Sequence, residues 1–288
     1  MTAVQWAKRK RLATAVTFVI VVLLGTIVGL TLDQSIRTSK RGAAQAMAFT
    51  HAQRLVQRLE DAMAPAYMLA ALVQANGGRL DNFNEVGEQL LQAFPMARAV
   101  QLAPGGVIRQ SYPLQGNEKA IGHDLLKDRD RNREAHVAVA SRQLTVAGPF
   151  NLVQGGVGAV GRYPLYLADR YGRESFWGFT TVLVRVPELI NTAGIMDLSR
   201  EGYRYELCRI PPTGSECEVF ARSGEGRPES PVIVPVDVPN GRWQLALAPE
   251  DGWLTRSEKL LIAGAVVLVA GLLGGLQYLF LRNLQRAA

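Results

Sequence analysis

LATAVTFVIVVLLGTIVGLTL, residues 12–32, contains no charged side chain, and neither does LLIAGAVVLVAGLLGGLQYLFL, residues 260–281. A helix needs about 20 apolar residues to cross the hydrocarbon core of a bilayer, so each stretch is long enough. The residues between them are too polar and too many for anything but a folded region. The pattern predicts two transmembrane helices, one near each end of the 288-residue chain, with one globular region held on one side of a membrane. The first stretch exceeds the roughly 7–15 apolar residues of a signal-peptide core. Ala44 and Ala46 come too late to form its cleavage site, so an uncleaved anchor is expected.

Basic residues set the orientation. Lys8, Arg9, Lys10 and Arg11 precede the first stretch, and Arg282 and Arg286 follow the second. Lys and Arg near span ends stay cytoplasmic. Residues 1–11 and 282–288 are therefore expected in the cytoplasm of a cell whose inner membrane holds the protein, with the central region periplasmic. The net charge is +7, but seven of the 32 basic residues and none of the acidic ones lie outside 33–258. The central region is formally neutral, and nucleic acid is not an expected partner.

Cys208 and Cys217 are the only cysteines. They flank a turn containing Pro211, Pro212, Thr213 and Gly214, within a strand-turn-strand pattern (YRYELCRI, then CEVFARS). A hairpin would bring the two sulfurs together, and an oxidising compartment would let them pair. The alternative is two free thiols on opposite faces of a sheet. Neither has a nearby histidine and no CxxC is present, so no metal site is expected.

After the first apolar stretch, Ala48, Ala52, Leu55, Leu59, Ala62, Ala66, Leu69 and Val73 recur at spacings of four and three, a heptad seam. A helix over 33–78 follows, which either packs on its own domain or pairs with the same helix of a second subunit; pairing is favoured near the membrane. Pro65 should kink or reset it, because proline lacks the amide hydrogen and clashes with the preceding turn. From Ala97 the texture changes to short strand-like runs broken by Gly and Pro. ARAVQLAPGGVIRQSYP reads as a hairpin turning at Ala103–Gly106, with Pro113 and Pro164 expected at strand ends or edges. A helix around Asn132–Ala140, the strands QLTVAG, GAVGRYPLYLA and SFWGFTTVLVRV, the helix PELINTAGIMDL, and the strands PVIVPVDV and GRWQLALAP complete the pattern. The fold class is α+β: two tandem PAS-like domains, 79–170 and 171–254, preceded by a long helix and flanked by two transmembrane helices.

Several segments resemble one family. PGGVI at 104–108, YPLQGNEKAIGHDLL at 112–126, GPFNLVQGG at 148–156 and GRYPLYL at 161–167 are similar to the CHASE domain, with FWGF at 176–179 and NGRWQLALAP at 240–249 like the second half of its bacterial versions. This is the extracytoplasmic sensory module of bacterial receptor kinases and nucleotide cyclases and of plant cytokinin receptors. The resemblance implies a long dimerising helix, a membrane-distal domain that binds a small molecule, and a membrane-proximal domain that relays. Cytokinin-binding members place an acidic residue in an Asp-Arg pair just before a helix, ahead of a Leu-Thr-x-Pro-Phe strand. The matching positions are Asp130 and Arg131, then Leu144, Thr145 and Phe150. The spacing differs, with two extra residues between Thr145 and the proline, so the ligand class is not carried over. Asp130 equally suits an ordinary helix cap. Asp130, Arg131, Thr145, Phe150 and Tyr163 are the candidate ligand-binding residues.

Other chemistry is weakly represented. Gly155, Gly156 and Gly158 precede a strand, so a hairpin loop is expected there and not a phosphate cradle. His123 and Asp124 are adjacent, and neighbours in extended chain point to opposite faces, which makes them poor acid–base partners. No HExxH, GxSxG or metal-spaced carboxylate cluster occurs, and no cofactor or enzymatic activity is expected. Gly25 and Gly29, and Gly271 and Gly275, form small-xxx-small pairs at different depths, for which like-with-like contact across a dimer is the expectation. Seven residues follow the second stretch, with no kinase or cyclase among them. The expected function is a receptor input module, dimeric and membrane-bound, taking a small ligand and acting on an effector outside this chain. The rival is a membrane-anchored assembly module. A pocket between the distal sheet and its helices favours the first, and a filled core with an exposed apolar patch the second.

Overall fold

The computed structural model describes residues 3–128, 132–152, 156–211 and 216–287. They form two compact units, Gln45–Ala248 and a second made of Met1–Ala44 with Pro249–Ala288.

Helix α1 (Ala3–Ala75) contributes to both. Within Gln45–Ala248 its heptad residues, from Ala48 to Val73, are all buried. They pack on the unit's own sheets, in keeping with the first of the two readings of this helix. Small residues on the facing strands make room for this. A Cβ at Gly161 would strike the Met63 sulfur and come within 3.0 Å of Val182. Thr180 Oγ1 donates to the Ala66 carbonyl at 2.7 Å, and the Tyr67 and Tyr163 rings lie 4.8 Å apart. The helix also runs through Pro65 without a break. Proline costs one backbone hydrogen bond, and the buried neighbours Ala62, Met63, Ala66 and Leu69 hold the turn by packing.

The first sheet has five antiparallel strands, β1 (Ala97–Pro104), β2 (Gln110–Tyr112), β3 (Thr145–Asn151), β4 (Val157–Ala168) and β5 (Glu174–Arg185), in the order β2-β1-β5-β4-β3. The turn after β1 falls where expected: the Gly106 amide donates to the Ala103 carbonyl at 3.0 Å, and Gly105 and Gly106 both take positive φ. Two helices join this sheet, α2 (Phe83–Ala93) and α3 (Arg133–Ser141). Only the second was expected. The domain boundary also moves. β5 falls within the second expected domain, yet its residues 178–184 pair with β1 and 174–185 with β4, so the first sheet extends to Arg185. Asp169 explains the connection: its carboxylate accepts from the amides of Tyr171 (2.8 Å) and Arg173 (3.0 Å), closing β4 and β5 into a hairpin. Pro164 sits in β4 beyond the last residue paired with β3, where the strand is an edge on that side.

The second sheet follows α4 (Val186–Thr192) and a short 3-10 turn. Its strands are β6 (Tyr203–Ile210), β7 (Glu218–Arg222), β8 (Val232–Val238) and β9 (Gly241–Pro249), ordered β7-β6-β9-β8. Trp243, fully buried, centres its core with Leu207, Leu245 and Leu247, its ring 5.0 Å from Phe220. Cys208 and Cys217 are disulfide-bonded, Cα to Cα 5.5 Å, across the β6–β7 hairpin.

In the other unit, α5 (Arg256–Ala287) opens with a capping box. The Glu258 amide donates to Thr255 Oγ1 (3.3 Å) and the Thr255 amide to Glu258 Oε2 (2.9 Å), while Lys40 pairs with the same carboxylate at 2.8 Å. The Arg41 guanidinium lies 4.8 Å from the centre of the Trp253 ring. Gly25 and Gly29 do not wait for a second subunit. A Cβ at Gly25 would lie 2.8 Å from Val266, and one at Gly29 3.2 Å from Ile262, so the pair admits the chain's own α5. Gly271 and Gly275 face open space.

Two outcomes are expected. Replacing Cys208 and Cys217 together by serine should lower stability by about 2–3 kcal/mol, the value for so short a closed loop, and peptide mass under non-reducing conditions should show two hydrogens missing from the native pair. A Gly25→Cys/Val266→Cys variant should crosslink within one chain, read as a monomer lighter by two hydrogens after oxidation at high dilution.

A candidate ligand cavity with a polar floor

The first sheet has two unlike faces. One carries Thr180, Val182, Gly161 and Tyr163 against α1. On the other, strand register brings one polar residue from each of the five strands into a single row: Ser111, Gln101, Thr181, Arg162 and Thr145. All five are buried, Arg162 to 2 % exposure. The neighbouring row of Ala99, Leu183, Val160 and Ala147 is apolar, as is that of Ala103, Phe179 and Pro164.

Part of the row is closed by its own hydrogen bonds. Thr181 Oγ1 donates to Gln101 Oε1 at 2.9 Å, and Gln101 Nε2 donates to Ser111 Oγ at 3.3 Å. Thr145 Oγ1 donates to the Glu134 carbonyl of α3 at 2.8 Å. Buried polar groups in an apolar setting are tolerated when they are bonded in this way.

Above the row lies a small, partly open cavity of about 40 Å³, lined by Gln101, His123 and Arg162 among apolar side chains that include Ile108, Phe150, Val160 and Leu183. Two apolar clusters frame the site. Ala103, Ile108, Ala120, Leu125, Ala135, Ala138 and Phe179 form one; Ala99, Leu152 and Leu183, with Phe150 and Val160, form the other. The roof is knitted by backbone bonds, from Ile108 N to the His123 carbonyl (3.0 Å) and from Leu125 N to the Gly106 carbonyl (2.8 Å). Gly106 has to be glycine twice over, for its positive φ and because a Cβ would come 2.8 Å from Leu126. His123 Nε2 is 3.2 Å from Asp128 Oδ2. Asp124 turns away to cap the next turn. Its burial pushes its carboxyl up, but the Lys127 side chain and the amides of Leu126 and Lys127 outweigh this and hold it below the ordinary value.

Residues 79–206 match the CHASE domain. The CHASE match runs from before α2 into β6 and so contains the whole first sheet and its cavity. CHASE domains are sensory input modules, not catalytic ones. No curated protein matches the chain by sequence. Among solved structures, an extracellular ligand binding receptor from Desulfohalobium retbaense is similar at 18% identity with a TM-score of 0.54, over 72% of this chain and 40% of that one. The sensory domain of the Campylobacter jejuni chemoreceptor Tlp3 is similar at 11% identity with a TM-score of 0.51, over 76% of this chain and 97% of that one. At these identities the likeness is one of fold.

The residues singled out from sequence are dispersed. Phe150 lines the cavity and Thr145 ends the polar row. Tyr163 lies on the opposite face against Tyr67, because it is one residue from Arg162 and successive strand side chains alternate. Asp130 and Arg131 lie outside the described residues. Gln101 and Arg162 were missed. Each is a single polar residue in an apolar strand, and only pairing across the sheet reveals the row.

Latches connect this site to the second sheet. The Val146 amide donates to Asn240 Oδ1 at 2.6 Å, and Arg209 donates to the Gly148 carbonyl at 3.4 Å while pairing with Glu218 at 2.6 Å. Both fasten β3, the strand that also carries Phe150.

Thr181→Val keeps the volume and removes the hydroxyl that satisfies Gln101. It should cost about 1–3 kcal/mol, the price of an unsatisfied buried acceptor, measured by chemical denaturation; Thr181→Ser should recover most of it.

Proposed function

We propose that the chain is the input part of a membrane receptor: a small molecule enters the cavity of the first-sheet domain, and the second sheet relays its presence to the membrane helices. The observation that carries this reading is a small cavity floored by a buried polar row inside a CHASE match. An assembly module has no use for polar groups held under an internal cavity. The latches from β3 to Asn240 and Arg209 supply a route by which movement of the cavity wall reaches the second sheet.

Membrane crossing is part of the proposal. Two helices are long and apolar enough to span a bilayer. Their apolar side chains, such as Leu12, Ile27, Leu261, Val267 and Phe280, are largely exposed, as surfaces bathed in lipid would be. The basic residues at 8–11 and at Arg282 and Arg286 support an extracytoplasmic central region. A homodimer is proposed too, through the outer side of α1, where Met68 and Leu72 are exposed and the seam is already occupied. Ligand binding would then act by favouring one of two dimer arrangements.

Two measurements test the proposal. Protease added to intact spheroplasts should cut 45–248 and spare both tails; protection of that region would overturn the orientation. Ala120→Leu, which pushes side-chain volume into the cavity, should abolish ligand-induced thermal stabilisation in a small-molecule screen while leaving the circular dichroism unchanged. Equal stabilisation of variant and parent by every active compound would place the site elsewhere.

A further inference from the structure

We propose that the groove between α1 and the β8–β9 turn is a second ligand site, one that takes an arylalkyl amine as its ammonium ion. It lies apart from the first-sheet cavity and does not rest on the reading of that cavity.

The groove belongs to Gln45–Ala248 and has a volume of about 480 Å³, within the range of small-molecule sites. Three elements meet around it: α1, Leu144 at the start of β3, and the end of β8 with the turn that follows. At 3.6 residues per turn, side chains advance about 100° per residue round a helix, which gives α1 three sides. The seam from Ala48 to Val73 is buried in the sheets. Val56, Glu60, Met63 and Tyr67 stand roughly 100° round from it and form one wall of the groove. Met68 and Leu72 lie about 130° further on, so the proposed dimer contact uses a different side of the helix.

The lining names the occupant. Val56, Leu59, Met63, Leu144, Val238 and Pro239 are apolar, a bed for a hydrocarbon body. Among the described lining residues the charged ones are Glu60 and Asp237, both carboxylates. Asp237 already pairs with Arg242 at 3.2 Å, so Glu60 is the principal acid for a ligand. Its companion in the groove is Tyr67, whose ring is half-exposed and lies 4.8 Å from that of Tyr163. Burial first, and then Tyr163 and the charge on Glu60, push the Tyr67 hydroxyl above its ordinary value, so carboxylate and ring share one environment. A carboxylate beside an exposed aromatic ring suits an ammonium group, by ion pairing and by attraction to the ring. An aromatic body then rests on the apolar bed. A metal cation gains nothing from hydrocarbon walls, and among the described residues no group of three acids, histidines or cysteines is assembled for one. An anionic compound meets Glu60 as a like charge.

The position adds a consequence. Asn240, whose side chain accepts from the Val146 amide at 2.6 Å, directly follows the lining residues Val238 and Pro239, and Leu144 precedes Val146 by two positions. An amine seated in the groove touches the flanks of both partners of that latch and braces it against α1.

The test uses the full chain in nanodiscs with isotope-labelled methionine methyl groups, the Met63 signal being assigned with Met63→Leu. Phenethylammonium is the probe. Phenylethanol is its uncharged match, phenylpropionate its anionic match and methylammonium the cation without the aromatic body. Saturable displacement of the Met63 signal by phenethylammonium is expected, with the three matched compounds binding at least tenfold more weakly. Glu60→Gln changes an exposed side chain and should weaken binding about threefold to tenfold, between an exposed ion pair and a charged hydrogen bond. Val238→Trp puts an indole into the groove and should abolish binding; should it fail to fold by circular dichroism, Glu60→Gln carries the comparison. Ala120→Leu, which fills the first-sheet cavity, should leave amine binding unchanged. Undiminished binding by Glu60→Gln, binding of phenylethanol as tight as that of the amine, or no displacement of Met63 overturns the inference. Loss of the response in Ala120→Leu overturns it too, because it places the amine in the cavity and leaves the cavity reading standing.

Discussion

The structure of Gln45–Ala248 depends on the burial of one helical seam. Ala48, Ala52, Ala62 and Ala66 let α1 approach the sheets closely, and Leu55, Leu59, Leu69 and Val73 fill what remains. Because this face of the first sheet is closed by α1, with Met63 under Gly161 and Thr180 bonded to the Ala66 carbonyl, the opposite face is the one available for a chamber. Strand alternation then does the sorting. Gly161 and Tyr163 meet the helix, and Val160 and Arg162 line the cavity. Packing on one side of a sheet thus decides which side chains can have a function on the other.

Much of the architecture was legible because it rests on local signals. Gly105 and Gly106 mark a turn whose backbone only glycine adopts easily, the charge-free runs mark the long apolar helices, and the Cys208–Cys217 spacing marks a hairpin. Legibility failed where a residue's fate depends on a distant partner. Pro65 reads as a helix breaker until the buried residues around it are counted. Gly25 and Gly29 read as a dimer contact until Val266 and Ile262 of the same chain arrive opposite them. β5 reads as the start of a second domain, since nothing local says that it inserts between β1 and β4.

The site shows the same division. Motif resemblance led to the domain that holds the cavity, and Phe150 and Thr145 stand at its cavity and row. It did not lead to Arg162 or Gln101, because a buried polar row is a property of register across five strands, and sequence order (β1, β2, β3, β4, β5) differs from spatial order. The one-residue step from Arg162 to Tyr163 moves a side chain through the sheet to the other face, so adjacent letters of one motif serve unrelated purposes.

The polar latches between β3 and the second sheet have a thermodynamic consequence. Asn240 on the Val146 amide and Arg209 on the Gly148 carbonyl are single hydrogen bonds, each worth about 0.5–3 kcal/mol net according to charge. A joint of that strength sits in the range of typical coupling energies between sites, about 1–3 kcal/mol. A weakly bound metabolite has enough differential affinity to bias such a joint, whereas a hydrophobic weld of the same area would resist it. Under the proposed relay, the economy of the junction would set the threshold: it could be thrown by a small molecule at modest concentration and relax once that molecule leaves.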